Sequence, residues 1–376
     1  MNKNVRKVFF VVLILLLVYM SLPTSGTWFY LNRVRWLYVL ILSFLGTSIL
    51  TPIAIYIANK NKIYDYPDER KIHSKPIPRL GGLAIYLGFI FAILRNLNFS
   101  NELKGVVIGA TIIILIGTLD DIKGISARWK FLGQLLATAI IIFYGVRITV
   151  FPRGMPGEHL IEIFFTVLGV VGVTNAINFM DGMDGLATGL GVVCGASFLI
   201  IAVQTGQRHL SWVTIALVGS CLGFLPYNFK PAKIFLGDAG STFIGFTLAG
   251  IAIMGSWVVT RYNPMVATSV PVLILSVCIF DMIYTTVSRI RNGSVRNFRE
   301  WLEYTGKDHL HHRLNFLGFS ERETVFVICA ISMILGLSAI VLRNASAFEA
   351  ILLLVQATMI YIVIVGLMLV ARVHRK

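Results

Sequence analysis

The chain has 376 residues, of which 56% are hydrophobic and 14% are charged, and its mean hydropathy is +0.79. This composition excludes an ordinary water-soluble domain and indicates an integral membrane protein. The net charge of +15 does not indicate nucleic acid binding, because Lys and Arg concentrate in alternate loops, as the positive-inside rule expects. The four cysteines lie inside apolar runs without a CxxC spacing, so they indicate neither disulfides nor a metal site.

The N-terminal segment begins with three basic residues, followed by an apolar run from Val8 to Leu22. This pattern fits either an uncleaved first helix or a signal peptide, and we favour the helix. Both alternatives place 26–35 outside. We therefore divide the chain into 1–35, an N-terminal hydrophobic segment with a short outer loop, and 36–376, a membrane-embedded domain.

The apolar runs are about 15 to 24 residues long, which suits helices crossing roughly 30 Å of hydrocarbon and not barrel strands. The predicted fold is all-α, a polytopic membrane helix bundle with about eleven core transmembrane helices plus the N-terminal one. The predicted core spans are 36–58, 80–94, 105–119, 131–150, 160–177, 186–203, 211–227, 241–260, 266–288, 323–342 and 349–371.

The distribution of positive charge sets the predicted orientation. Of the 33 Lys and Arg residues, this alternation of spans places 24 on the inner side and nine on the outer side. The polar motifs of the chain all fall on the inner side, where one cytoplasmic pocket could gather them. The predicted inner loops are 59–79, 120–130, 178–185, 228–240 and 289–322.

Amides and carboxylates recur at every third position where one apolar run ends and the next begins. While a helix lasts, such residues share one of its faces. Beside lipid an unpaired charge costs several kcal/mol, so the cluster requires a compensating cation. Its members are Asn175, Asn178, Asp181 and Asp184.

Asp120 and Asp121 end another apolar run. Alone, such a pair is as often a capped helix end as a site for a divalent ion. With Asp181, Asp184 and Asp238, however, five of the 18 acidic residues lie in three motifs at one membrane face. Hard oxygen ligands without cysteine suit Mg²⁺, so the first hypothesis is Mg²⁺-dependent phosphate chemistry.

Cationic groups on the same side support phosphate chemistry. The histidine-rich run at 309–313 could bind zinc, but it lacks cysteine and its adjacent rings diverge. Imidazoles and a guanidinium beside a phosphate pocket are the favoured interpretation, because Arg binds phosphate oxygens in a bidentate way. The predicted cations and substrate-binding groups are Lys75, Arg79, Lys130, His309, His311, His312 and Arg313.

Three further residues leave alternatives open. Phe235, close to Asn228, is either an aromatic anchor at the membrane interface or a platform on which a nucleobase stacks. Asp281 is either a helix-packing partner or lines a lipid groove. Arg289, like the arginines that follow it, is predicted to be a topology charge or a lipid-headgroup contact.

Four motifs in this order resemble the polyprenyl-phosphate N-acetylhexosamine-1-phosphate transferases of glycosyltransferase family 4, most of all the bacterial undecaprenyl-phosphate N-acetylglucosamine-1-phosphate transferases. The resemblance spans roughly 36–372, and the ordered set is highly specific. The motifs are Asp120-Asp121, Asn175-Ala-Ile-Asn178-Phe-Met-Asp181-Gly-Met-Asp184-Gly-Leu-Ala, Asn228-Phe-Lys-Pro-Ala-Lys-Ile-Phe235-Leu-Gly-Asp238-Ala-Gly-Ser and His309-Leu-His311-His312-Arg313.

The resemblance implies an activity and a location. N-acetylglucosamine-1-phosphate would pass from UDP-GlcNAc to undecaprenyl phosphate with release of UMP, with Mg²⁺ as cofactor and Mn²⁺ as a substitute. This is the first membrane step of a cell-surface glycan pathway, such as teichoic acid or O-antigen synthesis. A multi-pass protein of the bacterial inner membrane is expected, with its active site facing the cytoplasm, contacts to the lipid bilayer and no nucleic acid. The oligomeric state stays open, with a homodimer as one alternative.

The resemblance also implies residue roles. Asn178 and Asp238 would hold Mg²⁺ against the diphosphate. Asp120 or Asp121 would deprotonate or orient the lipid phosphate, and Lys130 would bind a donor phosphate. The residues implied around uridine are Asp181, Asp184, Asn228 and Phe235, and those implied at the sugar and phosphates are His309, as a catalytic residue, with His311, His312 and Arg313.

Two departures from the peptidoglycan-forming relatives bear on the donor. Lys123 follows the aspartate pair at two places, where those relatives have a lysine at three, and Arg79-Leu80 replaces Thr-Met. Both differences argue against a muramoyl-pentapeptide donor. That donor, or another UDP-N-acetylhexosamine, remains the alternative substrate.

Direct attack by the lipid phosphate is the preferred mechanism, since that phosphate is already a competent nucleophile; an aspartyl-phosphate on Asp121 or Asp238 is the alternative. A secondary transporter is the rival class of function. Transporters place their sites near the bilayer midplane, whereas these acidic motifs lie at one face. A scaffold protein would leave the clustered aspartates unexplained.

Overall fold

The computed structural model describes residues 3–67, 75–96, 99–149, 154–257, 264–297, 300–301, 304 and 306–374. Within these residues the chain forms fifteen helices and one two-stranded sheet. The predicted all-α polytopic membrane bundle is confirmed. Parts of the predicted inner loops 59–79 and 289–322 lie outside the described residues.

The elements follow one another with short connections. The first half contains α1 (Lys3–Ser21), α2 (Pro23–Leu31), α3 (Arg35–Asn61), β1 (Tyr64–Asp65), β2 (Ile77–Pro78), α4 (Gly81–Asn96), α5 (Asn101–Lys123), α6 (Ala127–Phe143) and α7 (Glu158–Phe179). The second half contains α8 (Leu186–Gln204), α9 (Arg208–Asn228), α10 (Gly237–Met254), α11 (Pro264–Ile274), α12 (Ser276–Arg291), α13 (Leu310–Phe316), α14 (Glu321–Leu342) and α15 (Ala347–His374).

Eight helices in the described part of the chain are long and apolar enough to cross a membrane, and two bent pairs raise this number to ten. The shorter helices α4 and α6 occupy the predicted spans 80–94 and 131–150. Every predicted span therefore coincides with a helix or a bent pair, and the chain is a multi-pass membrane protein. The eight long helices are α3, α5, α7, α8, α9, α10, α14 and α15.

Two predicted spans end earlier than expected. Helix α6 stops at Phe143 rather than 150, because Gly145 adopts a φ of +93° and its N–H closes the last turn on Ile142. Helix α10 stops at Met254 rather than 260. There the indole of Trp257 donates to the carbonyl of Ala252 at 2.7 Å and satisfies an acceptor of the last turn.

Two segments bend where the sequence predicted none. The stretch 26–35, expected to be a loop, is largely helix α2, which turns by 69° from α1. The expected single span 266–288 is broken at Leu275, where α11 and α12 meet at 78°. Ser276 Oγ donates to the carbonyl of Leu273 at 2.6 Å, which satisfies a backbone acceptor at the break.

Helix α10 forms the centre of the bundle. It packs against α4, α5, α7, α8 and α9. In its most apolar stretch of 18 residues, 78% is buried inside the protein, compared with 17% for the corresponding stretch of α15. Many of its residues are Gly, Ala, Ser or Thr, whose small side chains let neighbouring helices approach closely. The first turn of α10 is therefore held from several sides.

The polar motifs lie where α5 and α7 end and where α6 and α10 begin. The hairpin of β1 and β2 adds to the same end of the bundle, with Tyr64 opposite Pro78 and Asp65 opposite Ile77. Beyond β2, Arg79 forms a parallel bridge with Phe235, just before α10. Segments far apart in the chain thus surround the start of α10.

Candidate active site

The N-terminus of α10 is capped by a carboxylate from a distant helix. Leu236, which precedes α10, provides no side-chain cap, so the first backbone N–H groups need another acceptor. Asp121, near the end of α5, accepts from the N–H of Asp238 at 3.0 Å and from that of Ala239 at 3.2 Å. Gly237 permits this approach, because its φ is +73° and a Cβ there would overlap with the Asp121 carboxylate.

Lys130, in the first turn of α6, bridges two further carboxylates. Its Nζ lies 3.1 Å from Asp120 Oδ2 and 2.6 Å from Asp238 Oδ2. From the end of α7, Asn178 Nδ2 donates to Ser241 Oγ at 2.8 Å and lies 3.4 Å from Asp238 Oδ1. Residues of α5, α6, α7 and α10 thus meet at Asp238.

A second cation, Arg79, faces the same carboxylates. The N–H of Phe235 donates to the carbonyl of Pro78 at 2.9 Å, which fixes the backbone beside Arg79. Its Nη1 lies 3.4 Å from Asp65 Oδ1, and its Nε lies 3.9 Å from Asp121 Oδ1. Burial lowers the pKa of Arg79, but the combined charges of Asp121, Asp65 and their neighbours outweigh burial and raise the pKa above its usual value.

Of these groups, Arg79, Asn178 and Asp238 line a cavity of about 300 Å³, whereas Asp120, Asp121 and Lys130 lie behind its wall. Among the described residues, its wall carries five carboxylates and two side chains of fixed positive charge, Arg79 and Lys230. A phosphate ligand would meet this negative wall, so a further cation is needed to hold it there. The lining residues are Asp65, Arg79, Asn178, Asp181, Gly182, Met183, Asp184, Asn228, Lys230, Phe235, Gly237, Asp238, His312 and Glu321.

Asp184 and Asn228 line the cavity and also hold the loop before α10. Asp184 Oδ2 accepts from the N–H of Ala232 at 3.0 Å. Asn228 Nδ2 donates to the carbonyl of Ile234 at 3.2 Å, while its Oδ1 accepts from the hydroxyl of Thr188 at 2.9 Å. These bonds give the loop, and with it the ring of the following Phe235, a fixed position at the cavity.

Asp181 is the carboxylate that the protein leaves without a hydrogen-bond partner among the described residues. Burial raises the pKa of Asp181 well above its ordinary value, and the negative charges of Asp238 and Asp121 raise the pKa further. A bound cation or a donating group of a ligand would stabilise its ionised form.

The histidine segment contributes one ring to the cavity wall. His312 lines the cavity, and burial, followed by the charges of His309 and Lys307, lowers its pKa to about 4. His311 is buried with both ring nitrogens unpartnered among the described residues. His309 does not line the cavity; it is buried and bonds to Asp281, so Asp281 faces the interior of the bundle and not a lipid groove.

Other predicted cations lie away from the cavity. Arg313 donates to the backbone carbonyls of Asp308 at 2.7 Å and Met368 at 3.0 Å, so it ties α13 to α15. Lys75 is exposed and does not line the cavity. The prediction that Arg289 is a topology charge or lipid contact was wrong, because Arg289 is buried and Asp308 neutralises it.

The sequence analysis missed three charged residues of the cavity wall: Asp65, Lys230 and Glu321. Lys230 Nζ lies 2.8 Å from Glu321 Oε2 and 3.8 Å from Asp184 Oδ2. Lys230 lies within the motif that begins at Asn228, so its position in the sequence could have indicated a place in the site. No such signal marks Asp65 or Glu321, since Asp65 ends a two-residue strand and Glu321 starts a helix far along the chain.

The donor set fits a magnesium ion. Among the described residues no three His, Cys, Asp or Glu side chains converge as a ready metal cage. Mg²⁺ does not require one, because it binds through one or two carboxylates, waters and substrate phosphates. Asp238 and Asn178 offer oxygens at the cavity, since rotating the Asn178 amide by 180° presents Oδ1 where Nδ2 is assigned.

Comparisons with known proteins agree on a family. Residues 103–256 match the model of glycosyl transferase family 4. The chain is 36% identical to the probable undecaprenyl-phosphate N-acetylglucosaminyl 1-phosphate transferase of Bacillus subtilis, over 91% of this chain and 93% of the relative. It is 34% identical to the decaprenyl-phosphate N-acetylglucosaminephosphotransferase of Mycolicibacterium smegmatis, over 70% and 71% of the two chains.

A more distant relative has a different name. The chain is 31% identical to the phospho-N-acetylmuramoyl-pentapeptide-transferase of Desulforamulus reducens, over 76% of this chain and 88% of the relative. The Bacillus subtilis relative is matched over 93% of its length. The chain therefore belongs to glycosyl transferase family 4 and is a membrane-embedded phosphosugar transferase.

Proposed function

We propose that the protein transfers N-acetylglucosamine-1-phosphate from UDP-GlcNAc to undecaprenyl phosphate and releases UMP. The convergence of Asp121, Asn178 and Asp238 at the start of α10, where Asn178 and Asp238 line one cavity, is the observation that carries this proposal. The name of the Bacillus subtilis relative supports both the sugar and the lipid acceptor. The side chains that line this cavity would bind a nucleotide diphosphate next to these three residues.

The charges of the cavity support magnesium as the cofactor. Among the described residues, five wall carboxylates outnumber the three nearby cations, Arg79, Lys230 and Lys130, so the wall alone would repel a diphosphate. Bound Mg²⁺ would neutralise the diphosphate oxygens and act as a Lewis acid, and Asp238 and Asn178 would hold it. Mn²⁺, which accepts similar oxygen ligands, would substitute.

The residues around the reacting groups favour direct transfer. An oxygen of the lipid phosphate would bond to the sugar-bearing phosphorus of the donor, and the bond from that phosphorus to the bridging oxygen would break, so that UMP leaves with the electron pair. Asp121 already accepts two backbone N–H bonds, and Asp238 is paired with Lys130. Both carboxylates are therefore better placed to orient groups than to attack as nucleophiles.

The preferred donor, UDP-GlcNAc, carries no charged group apart from its diphosphate. A muramoyl-pentapeptide donor adds carboxylates, which the acidic residues Asp65, Asp184 and Glu321 of the wall would disfavour. This agrees with the two sequence departures from the peptidoglycan-forming relatives. The positive charges on the predicted inner loops support a cytoplasmic location for the site.

The test is an assay of the purified protein in detergent with undecaprenyl phosphate and UDP-sugars labelled in the uridine. We expect labelled UMP with UDP-GlcNAc, more slowly with UDP-GalNAc, and least with the muramoyl-pentapeptide donor. EDTA should abolish release, and added Mg²⁺ or Mn²⁺ should restore it. Release that persists in EDTA would contradict the metal proposal, and UMP release without lipid product would contradict the transfer.

A second assay separates the two mechanisms. The protein is incubated with Mg²⁺ and UDP-GlcNAc labelled in the sugar-bearing phosphate, with no lipid acceptor, and is then quenched in acid. Direct transfer predicts no label on the protein. Covalent label that Asp238→Asn or Asp121→Asn removes would instead establish an aspartyl-phosphate step.

A further inference from the structure

A chain of polar contacts connects helix α12 to the histidine segment. Asp281 Oδ2 accepts from His309 Nδ1–H at 2.6 Å, and its Oδ1 accepts from the N–H of Leu310, the first residue of α13, at 2.6 Å. On the other side of the ring, Arg289 Nη2 lies 3.0 Å from His309 Nε2. Arg289 also binds Asp308 through two bonds of 2.8 and 2.7 Å.

Because these charged groups are buried, each of them requires a polar partner. Asp281 is 0% exposed and Arg289 is 3% exposed, although both lie on a helix that packs in the membrane bundle. A buried charge without a partner costs several kcal/mol, so each group depends on the others. An apolar side chain would fill the same space without that dependence, so packing alone does not account for an aspartate at this position.

The contacts also fix the tautomer of His309. A carboxylate can only accept a hydrogen bond, and a guanidinium can only donate one. With Asp281 at Nδ1 and Arg289 at Nε2, the proton must lie on Nδ1 and the lone pair on Nε2. The ring is held on both edges and cannot turn.

The held ring is connected to the cavity wall through Phe179 and His311, which do not themselves line the cavity. Its centroid lies 5.4 Å from that of Phe179, which directly follows Asn178, and 5.9 Å from that of His311 in a parallel stack. The ring of His311 lies against Gly182 and 4.3 Å from that of His312, which lines the cavity. Each step from His309 to the cavity wall is a direct contact.

We infer that Asp281 is a positioning residue for the transfer reaction: through His309 and Leu310 it holds α13 so that His312 faces the donor cavity. The inference rests on the proposed function only for the identity of the donor. It assigns His309 an orienting role rather than contact with the reacting atoms. It also gives the membrane helix α12 a direct part in shaping the cytoplasmic site.

The kinetic test compares Asp281→Asn with Thr285→Val, a matched variant one turn along α12. The Thr285 hydroxyl is equally buried but donates only to carbonyls of its own helix. We expect Asp281→Asn to raise the KM for UDP-GlcNAc by about 10-fold to 100-fold, the range for groups that orient a functional histidine, and to leave the KM for the lipid acceptor within about twofold. Thr285→Val should change neither KM by more than about twofold. Equal effects on both substrates, or no effect, would overturn the inference.

A double variant tests whether Asp281 acts through His309. If it does, Asp281→Asn combined with His309→Gln should lose no more donor affinity than the more affected single variant, within about threefold. Losses that multiply would show that the two residues act independently and would overturn the inference.

A measurement without substrate separates this inference from the proposed function. The protein is labelled with ¹⁵N-histidine, and the His309 signal is assigned by its loss in His309→Gln. We expect the His309 ring of the wild type to show the Nδ1–H tautomer. Asp281→Asn should change that signal, while its thermal midpoint of unfolding stays within a few degrees of wild type. An unchanged tautomer would overturn the inference even if the transferase assay succeeds. Should Asp281→Asn not fold, Asp308→Asn removes the carboxylate that binds Arg289 at the half-buried end of this series of contacts, and a wild-type donor KM in that variant would overturn the inference.

Discussion

Lys130 is the residue that allows Asp120 and Asp238 to face each other. Its ammonium lies within hydrogen-bond distance of both carboxylates, and the side chain as a whole is 31% exposed, so we expect a substrate phosphate to reach it. The carboxylates would repel each other without it. We therefore expect Lys130 to have two functions: it holds the site together, and it offers positive charge to the donor.

Replacing Lys130 should separate these functions from general stability. We expect Lys130→Met to lower turnover by about 100-fold or more, because the variant loses a phosphate partner and leaves two carboxylates opposed. Lys123→Met is the matched control, since Lys123 is exposed and lies at the end of the same helix as Asp120. UMP release measures both variants; a Lys130→Met enzyme with more than half of normal turnover would show that this contact is dispensable.

The histidines at the cavity predict how stability depends on pH. Burial lowers the pKa of His312 to about 4, whereas the unfolded chain titrates near pH 6.5. The unfolded state therefore binds the extra proton between these values, so the contribution of His312 to the free energy of unfolding is complete above about pH 6.5 and is lost as the pH falls toward about 4.

His312→Gln should accordingly flatten the loss of stability in this pH window. The measurement is the thermal midpoint of chelator-treated protein in detergent from pH 7.5 to 4.5, compared with wild type. His159→Gln, at a largely exposed position, should keep the wild-type slope. Identical slopes for wild type and His312→Gln would contradict the assigned shift.

Individual residues show where sequence reasoning succeeds and where it stops. The motif residues at 121, 178 and 238 were selected because acidic and amide groups in apolar surroundings require partners, and the structure brings them together. Their partners could not be predicted, because the cap that Asp121 gives to α10 joins residues 117 apart in the chain. Arg289 was misjudged for the same reason, since its neutralising partner Asp308 lies in a stretch without periodicity.

At the scale of elements, the junction of α5 and α10 depends on one glycine. Gly237 has a φ of +73° and lies against the Asp121 carboxylate, whereas Gly124, just beyond α5, has a φ of +63° with open space around it. Both positions cost about 1 kcal/mol when a side chain is added, because L-residues disfavour this conformation. Only Gly237 adds a steric conflict with the cap.

The paired variants Gly237→Ala and Gly124→Ala should distinguish strain from displacement. We expect Gly124→Ala to lower the free energy of unfolding by about 1 kcal/mol with near-normal turnover. Gly237→Ala should lower it further, by about 1 to 3 kcal/mol, and reduce turnover by at least about tenfold, because Asp121 must move. Denaturation in detergent and UMP release measure the two effects, and equal behaviour of the two variants would contradict the role of Gly237.

The helices themselves were predictable, but their directions were not. Hydropathy placed a helix or bent pair at every predicted span, since length and apolar composition decide what can cross a membrane. The 78° bend between α11 and α12 escaped prediction, because both halves are apolar and composition contains no information on direction. That bend begins the helix that carries Asp281, so the undetected feature sets the direction of α12.

At the scale of the whole molecule, positive charge and the site lie at the same end of the bundle. The predicted inner segments carry 24 of the 33 Lys and Arg residues. Helix α5 connects the two ends: Glu102 is exposed in its first turn, and Lys123 is exposed at its last residue beside the site. Twenty-three helical residues span about 35 Å, which is sufficient to cross the hydrocarbon core.

Cysteines introduced at these two ends should report the orientation. We expect Lys123→Cys to react with a membrane-impermeant maleimide only after the cells are permeabilised, and Glu102→Cys to react in spheroplasts without permeabilisation, because the positive-inside rule places the Lys123 end in the cytoplasm. The native background should be low, since Cys194, Cys221 and Cys278 are buried and Cys329 is half-buried. The opposite labelling pattern would place the site outside the cell, where nucleotide sugars made in the cytoplasm could not reach it, and would overturn both the orientation and the proposed reaction.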